Sequence, residues 1–318
     1  MPAPKKRQIS IAVLVADTPV QPVLDRRGDY TKIYPAFLQS SLNTIKRHAW
    51  QDSVSLHVRC YDVVTAQEYP DQGQLSDGLW DAIVVTGSAH SAYSTDEWAG
   101  KLASFLRDTA EKHPLVRLVG ICYGHQIIAR AFDGKVELNS KGWEFGTTAC
   151  DVTEVGRELL GYGEGEKLNI QQVHRDHVTV LPSFQGHEFL NLASTDISAV
   201  QGMAHRYPTE APPLPSSAAT SAYLAFDISD EGTSSSGPSP LRSCQILTFQ
   251  GHPEFDAEIV ELVLQVRTEK GVIDRQSSEK FLENAHKPHD GLRIGRLIWS
   301  MLGVEEARTD QGDEMVAV

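Results

Sequence analysis

Three residues in this 318-residue chain have the types and the setting to do covalent chemistry: Cys122, His252 and Glu254. The cysteine lies in Val119-Gly120-Ile121-Cys122-Tyr123-Gly124-His125-Gln126, where Gly120 and Gly124 bracket it in a G-x-C-x-G pattern. This is the cysteine counterpart of the hydrolase G-x-S-x-G elbow, in which a tight turn needs small neighbours. A cysteine at such a turn sits near the positive end of the following helix. That position favours thiolate over thiol, and free N–H groups of the first turn can receive an oxyanion. A thiolate attacking an amide needs a base, and the base needs a partner that fixes its tautomer. His252-Pro253-Glu254 supplies both, because residues two apart in extended chain point the same way and the proline stiffens the backbone. Taken singly, a cysteine is more often buried core and a His-x-Glu pair more often solvated surface. The glycine bracket and the pair together favour catalysis.

The elements around these residues must position them. Residues 115–121 form an apolar run of the kind that becomes a strand buried on both faces. Residues 124–132 then place Ile127, Ile128, Ala129 and Phe132 at near-helical spacing, so a strand-turn-helix is expected with Cys122 at the turn. Upstream, 9–15 reads as a first strand, 30–50 as a helix, 55–64 and 81–86 as strands, and 96–112 as a helix with Trp98, Leu102, Phe105 and Leu106 on its buried face. Strand and helix alternating in this way predict a doubly wound, mostly parallel α/β sheet with flanking helices. The small-residue loop from Thr86 to Tyr93 follows a strand of that sheet, at the carboxyl end where ligands of open α/β sheets bind.

Residues 136–180 change to short alternating segments, including 143–152 and 170–181, which predicts a small antiparallel extension. Inside it, His174-Arg175-Asp176-His177-Val178 reads as a surface turn rather than a metal site, because no third ligand cluster lies nearby. Strands follow at 188–193 and 199–204. Residues 206–242 are rich in Pro, Ser, Thr and Ala and read as a flexible insertion with a short apolar island at 223–228. A strand at 244–249 and helices carrying Ile259, Val263, Ile294 and Ile298 complete a single domain over 1–304, with 305–318 as a loose tail.

An apolar share of 41% is that of a chain with a real core, and a formal charge of -13 repels nucleic acid and anionic membranes. Four cysteines without a C-x-x-C spacing give no metal site, and no cofactor is expected. The start lacks the apolar region of a signal peptide, and no run of about 18 apolar residues occurs. A soluble, reducing, cytoplasmic setting is therefore expected, with Pro4-Lys5-Lys6-Arg7 read as a short basic arm rather than a nuclear signal.

Gly-Ile-Cys-Tyr-Gly-His-Gln at 120–126 and Gly-His-Pro-Glu at 251–254 resemble the class I glutamine amidotransferase-like family, with the likeness running from about 9 to 302. The resemblance implies that family's flavodoxin-like fold, with Cys122 as nucleophile, His252 as general base and acid, and Glu254 as its orienting carboxylate. It further implies backbone N–H groups of Gly87, Ser88 and Tyr123 as an oxyanion hole, and Gln126 and His174 as substrate-binding residues. The Thr86-Gly87-Ser88 and His174–Val178 stretches look most like the stand-alone members, such as the plant γ-glutamyl peptidases and their fungal relatives. Two features depart from the family: Gly-Ser replaces the paired glycines of many synthetase-linked members, and the 206–242 insertion is extra.

No synthetase or ATP-binding domain is found alongside this unit, so hydrolysis of a small γ-glutamyl substrate (glutamine, or a glutathione-like peptide or conjugate) is the expected reaction. The alternatives are a glutaminase subunit delivering ammonia to a separate synthetase, and a DJ-1-like or pseudoenzyme stress protein. DJ-1-like proteins share the elbow cysteine and generally lack the His-Pro-Glu pair.

Overall fold

The computed structural model describes residues 7–45, 54–208 and 239–305. The N-terminal half alternates strand and helix: β1 (Arg7–Val15), α1 (Gln21–Arg27), α2 (Tyr30–Thr44), β2 (Val54–Asp62), α3 (Gln72–Ser76), β3 (Ala82–Val85), α4 (Glu97–Lys112), β4 (Arg117–Ile121) and α5 (Tyr123–Ala131). Next come β5 (Lys135–Leu138), β6 (Glu144–Val152), α6 (Glu154–Leu160), β7 (Lys167–His174), β8 (Asp176–Val180), β9 (Ser183–Phe184), β10 (His187–Glu188), β11 (Leu190–Ser194) and β12 (Gly202–Arg206). The chain finishes with β13 (Cys244–Phe249), α7 (Ala257–Glu269), α8 (Arg275–Ala285) and α9 (Gly291–Met301).

Nine strands make one sheet in the order β2-β1-β3-β4-β13-β12-β11-β6-β7. The first five are parallel and the last four antiparallel. Every residue of β3, β4 and β13 is buried, as expected of central strands covered on both faces. One face carries α2, α7 and α9, whose Tyr34, Leu38, Ile259, Val260, Ile294 and Trp299 form a core with β1 and β13. On the opposite face, α4 and α5 contribute Leu102, Leu106, Ile127 and Ile128. The indole N–H of Trp299 donates to Leu38 O at 3.1 Å and locks α9 onto α2.

The parallel half follows the sequence pattern closely, and the remainder departs from it in four places. The antiparallel part contributes four of the nine strands, so it is a larger share of the sheet than its short segments suggest. Residues 170–181 do not form one strand: the chain turns at Arg175, and β8 leaves the main sheet to pair with β5. The turn is also not a surface feature, because His174 and Val178 are buried there. The insertion is narrower than 206–242, since Arg206 pairs with Cys244 across β12 and β13 and Tyr207 N–H donates to Ser243 O at 2.9 Å. Leu241 is fully buried beside them. The apolar island at 223–228 and all but the first residue of the 305–318 tail lie outside the described residues.

Candidate active site

At the end of β4 the backbone of Cys122 takes φ 52° and ψ -102°, on the left-handed side that costs an L-residue energy. Its N–H donates to Phe249 O at 2.9 Å, and its carbonyl accepts the Gln126 N–H at 3.1 Å as α5 begins. The glycine bracket has a steric cause. A Cβ on Gly124 would lie 2.3 Å from Val85 O, and one on Gly120 would lie 2.6 Å from the Gly124 carbonyl carbon. Close approach of α5 to β3 and β4 therefore requires both glycines, and it is this approach that holds the strained turn.

His252 and Glu254 follow β13, the neighbour of β4. The His252 N–H donates to Gln171 O at 2.7 Å in an isolated antiparallel bridge to β7. Its ring stacks on Phe255 with centroids 4.1 Å apart and planes 6° from parallel. Nδ1 is 2.8 Å from Glu254 Oε1, which leaves Nε2 for Cys122. Burial acts to lower the pKa of this histidine. Cys122 and then Glu254, each by charge and by hydrogen bonding, outweigh burial and raise it to about 10. The imidazole is thus a held cation beside the sulfur.

Two residues that the sequence does not single out, Tyr34 and Gln250, complete the support. The Tyr34 hydroxyl donates to Glu254 Oε1 at 2.9 Å and accepts the Gly87 N–H at 2.9 Å. Gln250 places its amide nitrogen 3.8 Å from Cys122 Sγ, and its carbonyl oxygen accepts the Gln126 side-chain N–H at 3.2 Å. The only signals for them in sequence were a tyrosine on a helical stripe and a glutamine next to Gly251-His252, and neither distinguishes them from ordinary packing.

Gly87 therefore does not supply a free N–H to an oxyanion, contrary to expectation, because Tyr34 already accepts it. Its role is spatial: a Cβ there would lie 2.6 Å from His252 Cε1. Ser88 and Tyr123 N–H have no acceptor among the described residues. The Ser88 loop is pinned by Asp17, whose Oδ2 accepts the Ala89 N–H at 2.7 Å and faces Ser88 Oγ at 3.3 Å. Gln126 is buried, with its amide also donating to Asp176 O at 2.8 Å. His174 lies behind it, with Nδ1 3.0 Å from that same carbonyl and Nε2 3.2 Å from Glu144 Oε2. His174 thus reaches the site through the Asp176 carbonyl and Gln126.

Burial raises the thiol pKa of Cys60 and of Cys244 to about 11, and raises that of Cys150 further. His125 is a neutral core residue, lowered to about 3 by burial and then by His174. Among the described residues, no group of three or more His, Cys, Asp or Glu is placed to hold a metal. Nor is any helix among them long and apolar enough to cross a membrane.

A family model described as glutamine amidotransferase class-I matches residues 39–212, more than half of the chain. The chain belongs to the class-I glutamine amidotransferase family. That match spans Cys122 and stops before His252 and Glu254. A glutamine amidotransferase-like protein of Schizosaccharomyces pombe is 30% identical over 281 residues, 88% of this chain and 93% of that one. A γ-glutamyl peptidase 3 of Arabidopsis thaliana is 26% identical over 240 residues, 74% of this chain and 76% of that one. In fold, the chain resembles a glutamine amidotransferase of Thermotoga maritima, with a TM-score of 0.56 at 13% identity over 92% of this chain and 96% of the other.

Proposed function

We propose that this protein hydrolyses γ-glutamyl amides through a γ-glutamyl thioester on Cys122. The observation that carries the reading is the meeting of β4 and β13, which sets a strained cysteine against an imidazole whose other nitrogen is fixed by Glu254 at 2.8 Å. Cys122 Sγ attacks the γ-carbonyl carbon while its proton rests on His252. Charge developing on the carbonyl oxygen is received by the Ser88 and Tyr123 N–H groups. His252 then protonates the departing nitrogen as the C–N bond breaks, leaving the thioester and a free amine. Water attacks that thioester, giving its proton to His252 as the C–O bond forms. The C–S bond breaks with release of glutamate, leaving the thiolate beside a His252 that has kept the proton taken from water. Glu254 holds the ring and stabilises its cationic form throughout. Gln250 borders the sulfur and Gln126 holds Gln250, on the side we assign to the glutamyl group.

The test is incubation with glutamine, glutathione and γ-glutamyl dipeptides, reading glutamate release and the intact mass of Cys122. Glutamate release with a γ-glutamyl adduct on Cys122 is expected. The Cys122→Ala variant should abolish turnover, and His252→Ala should lose nearly as much. Full activity in Cys122→Ala would overturn the reading.

A further inference from the structure

A cleft beside the triad shares His252 and Ser88 with the steps above, while the rest of its lining has no part in them. It holds about 480 Å³, counting the portion open to solvent, and its lining includes His252, Ser88, Phe255, Tyr30, Val173 and Arg267. The cleft is open to solvent, so a leaving group can lie along it with its far end in water. Its position follows from the chemistry. His252 delivers the proton to the leaving nitrogen, so whatever that nitrogen carries must lie on the His252 side. Gln126 and Gln250 do not line the cleft.

Arg267 reaches it from α7 with its guanidinium carbon 4.5 Å from the centroid of the Trp143 ring. A guanidinium laid on an aromatic face keeps its edge N–H donors available. Among the described residues it has no salt bridge, although it lies within electrostatic reach of Cys122, Tyr30 and Asp17. Asp17, the acid on the same wall, has its oxygens engaged by Thr18 N–H, Ala89 N–H and Ser88 Oγ. The cleft thus joins an apolar wall to one cation that lacks a contacting counter-ion. An amine carrying an apolar body and a carboxylate fits it, whereas ammonia uses none of it.

Building on the γ-glutamyl reading, we propose that Arg267 anchors the carboxylate of the leaving group. The preferred substrate is then a γ-glutamyl amino acid or short γ-glutamyl peptide with a free C-terminal carboxylate rather than glutamine. Arg267 acts here as a specificity-determining residue, and the bond chemistry is unchanged.

The experiment compares γ-glutamyl-leucine with its C-terminal amide as substrates of the full chain and of the Arg267→Met and Arg267→Lys variants. A charge-assisted hydrogen bond of this kind corresponds to a preference of about 10- to 100-fold in kcat/KM for the acid. In Arg267→Met the preference should collapse through KM of the acid, with kcat/KM for the amide within about three-fold of wild type. Arg267→Lys should retain part of it. Equal kcat/KM for acid and amide in the wild-type protein overturns the anchor without recourse to any variant. A preference that survives unchanged in a folded Arg267→Met also overturns it. If neither compound releases glutamate or acylates Cys122, the γ-glutamyl reading falls and the anchor with it. Acylation by both without discrimination removes the anchor alone.

Discussion

At the scale of single residues, the charge on His252 depends on its neighbours. Cys122 and Glu254 together raise its pKa to about 10 against the effect of burial. Cys122→Ala removes the larger of those two opposing influences, so the His252 pKa, followed by NMR, should fall by at least about one unit. His125 tests the opposite sign. Its folded pKa of about 3 lies below the ordinary 6.5, so its contribution to stability is complete above about 6.5 and is lost as the pH falls towards 3. Denaturant unfolding between pH 6.5 and 4 should show a shallower loss of stability in His125→Asn than in wild type, by up to about 1.4 kcal/mol per pH unit. Glu254→Gln should keep the ring in place while stabilising the imidazolium less, lowering kcat by about a hundred-fold or more. Tyr34→Phe leaves the Gly87 N–H without its acceptor, and a loss of about 1–3 kcal/mol in unfolding free energy is expected together with a fall in kcat. Cys122, His252 and Glu254 stood out in sequence only as a set, the glycine bracket together with the His-Pro-Glu pair, and the fold puts them at the ends of the neighbouring strands β4 and β13. Tyr34 and Gln250 did not stand out, since a buried tyrosine and glutamine become informative only once their partners are known.

Among the elements, α7 determines how the His-Pro-Glu segment ends. Asp256 caps it by accepting the Ile259 N–H at 3.1 Å, and it also meets Arg27 of α1 at 2.7 Å. The preceding Phe255 stacks on His252, so the cap and the His252 ring lie in one short run. Asp256→Ala should cost about 1 kcal/mol of stability in a thermal or denaturant melt, with a modest fall in turnover as the stack loosens. Elements with a strong burial pattern, β3, β4, α4 and α5, were readable from sequence. The helix α8 was not, because Ala285 is its one fully buried residue and Phe281 docks on Phe145 only at the edge of the sheet. The break between β7 and β8 was hidden for a related reason: His174 is buried by polar partners, and alternation of apolar residues does not report such burial.

For the whole molecule, the two ends of the insertion meet, with Tyr207 N–H bonded to Ser243 O at 2.9 Å. Replacing 209–238 by a short turn should therefore leave the melting temperature within a few degrees and keep Cys122 reactive, since loop closure depends only weakly on length. Loss of soluble protein would show that the island at 223–228 belongs to the core. The order of the sheet carries a consequence for biosynthesis. Among the described residues β13 is the last strand to leave the ribosome, yet it occupies the middle of the sheet between β4 and β12 and carries His252 behind it. A nascent chain bearing Cys122, its loop and strands β6, β7, β11 and β12 still lacks His252 and Glu254. Rapid alkylation at Cys122 should thus mark a chain that has inserted β13 and the segment after it, with fragments ending before 244 alkylating far more slowly. Synthesis order would then keep the thiol quiescent until the last strand has been inserted.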